Sequence, residues 1–166
     1  MSNIKNLLPN PNVKFHQGFY NVNNINKYIG DYKKVIYRSS LEKIFCTYCD
    51  TSNNVLKWSS ELYSVKYMNP ITSSYNNYYI DFFVRMKKKD SYKDYLVEIK
   101  PSQQLKPPRM PKNKTKKNIE NYKKEYETYL INSAKFESAD NFAKNNNFEF
   151  VVLTEKTIFK FLEKNI

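Results

Sequence analysis

Residues 78–101 read YYIDFFVRMKKKDSYKDYLVEIKP, and the order of apolar and charged residues in this stretch decides the fold. Two runs rich in aromatic and β-branched side chains, 78–86 and 95–100, flank a short charged segment, which predicts a β-hairpin. Because side chains alternate between the two faces of a strand, Glu98 and Lys100 share one face. Charged residues inside such apolar runs are the unusual feature of the hairpin.

A symmetric hairpin with its turn centred between Lys89 and Asp90 places Asp81 directly opposite Glu98, with Cβ atoms about 4.5–5.5 Å apart. Two carboxylates that face each other in an apolar strand pair repel, and a shared divalent cation removes that cost. Mg²⁺ binds one or two carboxylates and keeps waters or phosphate oxygens as its other ligands. Lys100 beside them can orient a water or stabilise charge on a phosphate.

This Asp-(x16)-Glu-x-Lys arrangement resembles the hairpin of the PD-(D/E)xK nucleases, with Ile80 where that pattern usually has proline. The alternative is an ordinary strand with a solvated charged face, because Glu-x-Lys is common in strands.

The composition predicts a single globular domain with an anionic partner. The chain has 166 residues, 40% of them hydrophobic, and a net charge of +12. This excess of Lys and Arg favours nucleic acid as the partner over a generic basic protein. The sequence has no apolar run of ~18 residues and no signal-peptide core, so no membrane partner is expected. Cys46 and Cys49, with His16 as the single histidine, predict reduced thiols in an intracellular setting, not zinc ligands.

The order of predicted elements is helix, three strands, helix, strand, helix. Residues 1–34 read as an extended arm that Phe15, Phe19 and Tyr20 tether, and residues 35–166 as one domain. Ser39 and Glu42 form a capping box that starts the first helix. The remaining predictions are a strand at 57–67, a polar loop at 69–77, the hairpin, a helix at 118–145 with a break near 132–133, a strand at 148–154 parallel to 95–100, and a helix at 157–164.

A proline-rich basic loop follows the hairpin. Pro107, Pro108 and Pro111 exclude helix and inner strand here. We interpret this loop as a contact surface for the phosphate backbone of DNA, with a mobile solvated loop as the alternative. The predicted DNA-binding residues are Lys106, Arg109, Lys112, Lys114, Lys116, Lys117 and, on the following helix, Lys135.

Two further acids have two interpretations each. Glu42 either caps its helix or reaches from the helix toward the hairpin carboxylates. Glu61 is either a second acid near the site or, as we favour, a surface residue at a strand edge.

Several short segments together resemble the head-completion nucleases of tailed phages and, more distantly, the TnsA-type transposon nuclease. They are residues 37–42, 58–61, 80–82, 97–101, 132–135 and 150–155. The resemblance implies an α/β fold with a restriction-endonuclease-like αβββαβ core, a mixed β-sheet flanked by helices. It also implies a virion-assembly protein that cuts duplex DNA late in assembly, in the host cytoplasm or the virion, near the portal or other head-completion proteins.

Carried over by residue, the resemblance implies that Glu42, Asp81, Glu98 and Lys100 form the catalytic set. Asp81, Glu98 and Glu42 would bind Mg²⁺ or Mn²⁺, and Gln104 and Lys135 stand at positions that could assist. Two alternatives remain: a structural head or neck protein that does not cut DNA, and a transposition or repair endonuclease of the same fold.

Overall fold

The computed structural model describes residues 17–163, so the predicted arm segment 1–16, with Phe15, and residues 164–166 lie outside the described residues. Ten of the elements matter for the site: α1 (Ser40–Thr51), β3 (Val55–Ser60), β4 (Ser64–Asn69), β5 (Ser74–Tyr79), β6 (Phe82–Lys88), β7 (Ser91–Ile99), α2 (Lys116–Asn145), β8 (Glu149–Leu153), α3 (Ile158–Glu163), and a 3-10 helix at Ser102–Leu105. Before them, β1 (Gly18–Phe19) and β2 (Ile36–Tyr37) form a small antiparallel pair.

The central sheet has the strand order β3-β6-β7-β8. Its first three strands are antiparallel, and β8 runs parallel to β7 because α2 carries the chain across the sheet. This mixed sheet between helices confirms the predicted αβββαβ arrangement.

A separate two-stranded ribbon interrupts the predicted strands. The expected strand at 57–67 splits into β3 and β4 at Glu61, which has a positive φ of 51°. The expected strand at 78–86 splits into β5 and β6 at Ile80 and Asp81. Residues 74–77, which we expected within a polar loop, join residues 78 and 79 in β5 and pair with β4 as the second strand of this ribbon. Both predictions of one continuous strand were therefore wrong.

The second helix is continuous, contrary to the predicted break near 132–133. The Asn132 side chain donates to the Gln104 side chain at 3.3 Å, and the Ser133 hydroxyl donates to the Tyr129 carbonyl at 2.9 Å. Both polar side chains are thus satisfied without opening the helix.

Two hydrophobic layers cover the faces of the sheet. Phe45, Trp58 and Val97 belong to the layer beneath α1 and α3. Phe83 and Ala139 belong to the layer shared with α2 and the ribbon. The sheet is therefore covered on both faces.

The described part of the N-terminal segment packs on the domain and is fixed by a buried carboxylate. Asp50 accepts hydrogen bonds from the Asn23 and Asn24 backbone amides at 2.8 and 2.9 Å. Tyr20 packs against the core, as predicted, whereas Phe19 is half exposed. Cys46 and Cys49 are free and buried. Among the described helices, none is long and apolar enough to cross a bilayer.

Candidate active site

The hairpin register brings the two predicted carboxylates together. The β6–β7 ladder pairs Phe82 with Val97 and Lys88 with Ser91, which is the register expected for a turn between Lys89 and Asp90. One step beyond the ladder, Asp81 lies opposite Glu98. The Asp81 amide donates to Glu98 Oε2 at 3.3 Å, and the Ile99 amide donates to Asp81 Oδ2 at 2.8 Å.

Asp81 occupies the junction between the ribbon and the central sheet. The Glu61 amide donates to the Asp81 carbonyl at 3.0 Å, and the Ile80 amide donates to the Tyr63 carbonyl at 3.0 Å. These bonds hold the backbone on either side of the strand break, so Asp81 has a defined position although it belongs to no strand.

Lys100 completes the predicted trio. Its Nζ lies 2.6 Å from Glu98 Oε1, and the exposed fractions of the two side chains are 26% for Lys100 and 2% for Glu98. The Lys100 amide donates to the Leu153 carbonyl at 2.9 Å, which fixes the residue beside β8. A buried carboxylate is thus paired with an ammonium group that solvent and substrate can reach.

The electrostatics of the trio favour cation binding. Burial raises the pKa of Asp81 well above its usual range, and repulsion from Glu98 raises it further. Lys100 is also largely buried, which opposes its charged form, but attraction to Asp81 and Glu98 outweighs this and raises the pKa of the amine. Lys100 therefore stays an ammonium group at neutral pH, and the acid pair gains from any further positive charge.

Glu42 takes the capping role that the sequence left open. Its amide donates to Ser39 Oγ at 3.1 Å, Ser39 Oγ donates to Glu42 Oε1 at 3.0 Å, and the Arg38 amide donates to Glu42 Oε2 at 2.7 Å. Burial raises the pKa of Glu42, while Lys100 and Arg38 oppose that shift. Glu42 is thus close enough to interact electrostatically with Lys100, but both of its oxygens bond at the helix start.

The metal-ligand set of Asp81, Glu98 and Glu42 stays a prediction. Over residues 17–163, no three His, Cys, Asp or Glu side chains form a group that could hold a metal ion. The pair of Asp81 and Glu98 still suits Mg²⁺, which needs only one or two protein carboxylates when substrate phosphate and water supply the rest. Glu61 instead pairs with Arg38 at 3.2 Å on the surface, as the strand-edge interpretation predicted.

Sequence reasoning missed Tyr78 beside this site. Its hydroxyl is buried close to the Glu98 carboxylate but makes no hydrogen bond of normal geometry. The Lys135 Nζ lies over the Tyr67 and Tyr78 rings, 5.5 and 5.4 Å from their centroids. Lys135 therefore lies on the tyrosine beside Glu98, and its role in DNA binding stays a prediction. No sequence signal separates Tyr78 from the other tyrosines, because its burial depends on the ribbon and α2.

The basic loop emerges from the site and is exposed. It begins with Ser102, whose amide donates to Glu155 at 2.9 Å, and reaches α2 through the Thr115 cap. Within the described chain, none of its predicted DNA-binding residues forms an ion pair: Lys106, Arg109, Lys112, Lys114, Lys116 and Lys117. Such free cations in a loop that leads from the half-buried Asp81 and the buried Glu98 suit a phosphodiester substrate.

Comparison with known protein families identifies the class of protein to which the chain belongs. The sequence model of the family described as "TnsA-like endonuclease N terminal" matches residues 52–155, which include Asp81, Glu98 and Lys100 but not Glu42. The chain belongs to this TnsA-like endonuclease family, which confirms the predicted resemblance and fold class.

The chain is also similar in sequence to the head completion nuclease of Enterobacteria phage T4. The chain is 31% identical to it over 132 residues, which cover 80% of this chain and 86% of that protein. No solved structure matches the chain significantly.

Proposed function

We propose that this chain is a phage head-completion endonuclease that hydrolyses phosphodiester bonds of duplex DNA with Mg²⁺ or Mn²⁺. The observation that carries the proposal is the alignment of Asp81 with Glu98 at the end of the hairpin, with Lys100 2.6 Å from Glu98. The endonuclease family supports the reaction class, and the T4 relative's name supports the place in virion assembly.

Each residue of the trio has a role that follows from its environment. Asp81 and Glu98 would hold the cation: Asp81 Oδ1 is free of the backbone bond that Oδ2 accepts, and Glu98 Oε1 is held by Lys100, 2.6 Å away, and not by the backbone. When bound, the cation would polarise the scissile phosphate and lower the pKa of a coordinated water. Lys100, as an ammonium group, donates hydrogen bonds that orient a water or bind a phosphate oxygen. Glu42 adds negative potential from the helix start.

The T4 relationship favours phage assembly over transposition or repair. The match spans 86% of the T4 protein, whereas the TnsA-like family describes the N-terminal domain of a transposon nuclease. We therefore place the activity in the host cytoplasm during assembly or in the virion, on packaged DNA or beside portal and head-completion proteins.

Nicking of supercoiled plasmid tests the proposal. Wild-type protein is expected to relax the plasmid with Mg²⁺ or Mn²⁺ and to be inactive in EDTA. Asp81→Asn and Lys100→Ala are expected to lose at least about a hundredfold in rate. Asp90→Asn, which changes an exposed acid at the hairpin turn, is the matched control and is expected to keep full activity.

Folding of each variant is checked by circular dichroism and thermal unfolding. Asp81→Asn removes one of two repelling acids, so its fold is expected to survive. Wild-type rates in a folded Asp81→Asn protein would overturn the proposed roles, and so would nicking that persists in EDTA.

A further inference from the structure

A basic cleft lies between the loop after Lys100 and the N-terminal half of α2. Its volume is about 320 Å³, and its walls include Gln103, Gln104, Lys106 and Arg109 from the loop and Lys124 and Tyr129 from the helix. The cleft is distinct from the Asp81–Glu98 pair, neither of which lines it.

The charges in the cleft select an anion. The cleft is lined by three cations, Lys106, Arg109 and Lys124, and by one carboxylate, Glu125. Its lining therefore has a net charge of +2. None of the three cations forms an ion pair among residues 17–163, so their charge is available to a ligand. An arginine fork matches two phosphate oxygens, and lysine and glutamine add donors that bind phosphate without reading bases.

The cleft is linked to the candidate active site through α2. Gln104 accepts a hydrogen bond from the buried Asn132 side chain at 3.3 Å. One turn further along the helix, Lys135 covers the ring of Tyr78, whose hydroxyl is beside Glu98. The cleft wall is therefore connected to the acids by a short series of packed side chains.

The chain also limits the distance between the two sites. Lys106, the first cation of the cleft, is six residues after Lys100, so their Cα atoms are at most about 22 Å apart. Along one strand of B-DNA, where each nucleotide rises about 3.4 Å, this corresponds to about six nucleotides.

We propose that this cleft is a phosphate-binding subsite for the DNA strand that is cut, within about six nucleotides of the scissile bond. The subsite rests on the proposed nuclease function and adds to it a fixed contact that sets how the strand crosses the site. The phosphate comes either from an internal phosphodiester or from a 5′-terminal phosphate at a DNA end.

Binding is measured apart from cleavage, in the Asp81→Asn background, by fluorescence anisotropy with a labelled 30-base-pair duplex. The cleft variant combines Lys106→Ala, Arg109→Ala and Lys124→Ala. The matched control, Lys66→Ala, Lys87→Ala and Lys160→Ala, removes the same charge from exposed positions outside both the cleft and the basic loop. The cleft variant is expected to lose at least about tenfold more affinity than the control and to reduce the salt slope by about one.

A second pair of variants tests whether removing a negative charge from the cleft strengthens DNA binding. Glu125→Gln removes the anion from the cleft and is expected to tighten binding about threefold. Glu127→Gln, an exposed neighbour on the same helix, makes the same charge change outside the cleft and is expected to have a smaller effect.

The form of DNA separates the two sources of phosphate. A preference for 5′-phosphorylated over 5′-hydroxyl ends that the cleft variant abolishes assigns the terminal phosphate. Wild-type cleavage should then fall within about six nucleotides of the end. Equal binding of both ends, with the same loss in the cleft variant, assigns an internal phosphodiester. Equal losses of affinity in the cleft and control variants overturn the subsite but leave the proposed nuclease function intact. A wild-type protein that does not nick DNA overturns the nuclease function, and the binding comparison still decides whether the subsite exists.

Discussion

At the scale of single residues, the Tyr78 hydroxyl is the least satisfied group near the acids. It and Trp58 Nε1 are the buried side-chain polar atoms without a hydrogen-bond partner over residues 17–163. Burial and the neighbouring Glu98 carboxylate raise the pKa of Tyr78, so the phenol stays protonated and can only donate to that carboxylate. An unsatisfied buried hydroxyl costs about 1–3 kcal/mol, a cost that a role in holding Glu98 would explain.

We therefore expect Tyr78→Phe to separate stability from activity. Removal of the unsatisfied hydroxyl should leave the free energy of unfolding unchanged or raise it by up to about 1 kcal/mol. Nicking with Mg²⁺ should fall about tenfold, because the site loses a donor that can bond the Glu98 carboxylate when that carboxylate turns toward a bound cation. Plasmid nicking and urea unfolding measure the two effects. Tyr79→Phe, an adjacent change on a side chain that is 57% exposed, should alter neither, and full activity in Tyr78→Phe would contradict the role.

The hairpin residues were predictable, whereas the surrounding ones were not. Asp81 and Glu98 could be placed opposite each other because a tight turn fixes the register by counting alone. The local Ser39–Glu42 pattern predicted the capping bonds of Glu42, but not whether the side chain also reaches the acids. The position of Tyr78 depends on how the ribbon packs, which no local pattern encodes. Glu42 accordingly stayed ambiguous until the structure showed its bonds to Ser39 and Arg38.

At the scale of elements, an ion pair holds the register of β6 and β7. Arg85 Nε lies 2.8 Å from Asp94 Oδ1, and a second nitrogen lies 2.8 Å from Oδ2, which makes the pair bidentate. The guanidinium also stacks on Tyr92, 4.0 Å from the ring centroid. Arg85 and Asp94 are directly opposed in the ladder, so the same pairing sets Asp81 against Glu98.

Breaking this pair is expected to weaken the hairpin and the activity together. Asp94 is 8% exposed and Arg85 36%, so we expect Asp94→Ala to cost about 1–2 kcal/mol, between the values for surface and buried pairs. Urea unfolding measures that cost, and nicking should fall because the acids lose their fixed register. Glu149→Ala breaks the half-exposed pair with Lys93 and should cost less than about 0.5 kcal/mol. Equal costs for the two variants would mean that Asp94 has no special role in the register.

The elements themselves were only partly predictable. The helices and the parallel β8 followed from periodicity and from the crossover rule. The ribbon did not, because its strands and the neighbouring sheet strands are equally rich in aromatic residues. The break at Glu61 depends on a positive φ that glycine usually supplies, and Glu61 gives no such signal. The break at Ile80 and Asp81 lies inside an apolar run.

At the scale of the whole molecule, folding raises the pKa of buried thiols and phenols, so these groups keep their protons to higher pH. Burial raises the pKa of Cys46 and Cys49 above the usual thiol range. It also raises the pKa of Tyr20 to about 12, with Asp50 adding to the shift. The native state therefore holds these protons at pH values where the unfolded chain releases them, near pH 8.5 for thiols and 10 for phenols.

The direction of the pH dependence follows from this difference. Above about pH 8.5 the unfolded state binds fewer protons than the native state, so the free energy of unfolding falls as pH rises. The stabilising contribution is complete below the unfolded pKa and is lost as the pH rises toward the native pKa. For each thiol the slope approaches about 1.4 kcal/mol per pH unit. Urea unfolding between pH 7.5 and 10, with a reductant present, should show this decline.

A variant at Cys49 tests whether the thiols cause the decline. Cys49→Ala is expected to be less stable at pH 7.5, because it leaves a small cavity in a fully buried position. Its stability should nevertheless fall less steeply between pH 8.5 and 10, because one of the two thiols no longer titrates on unfolding. Thr47→Ala, an exposed change on the same helix, should keep the wild-type slope. Identical slopes in wild type and Cys49→Ala would show that the Cys49 thiol does not contribute to the alkaline loss of stability.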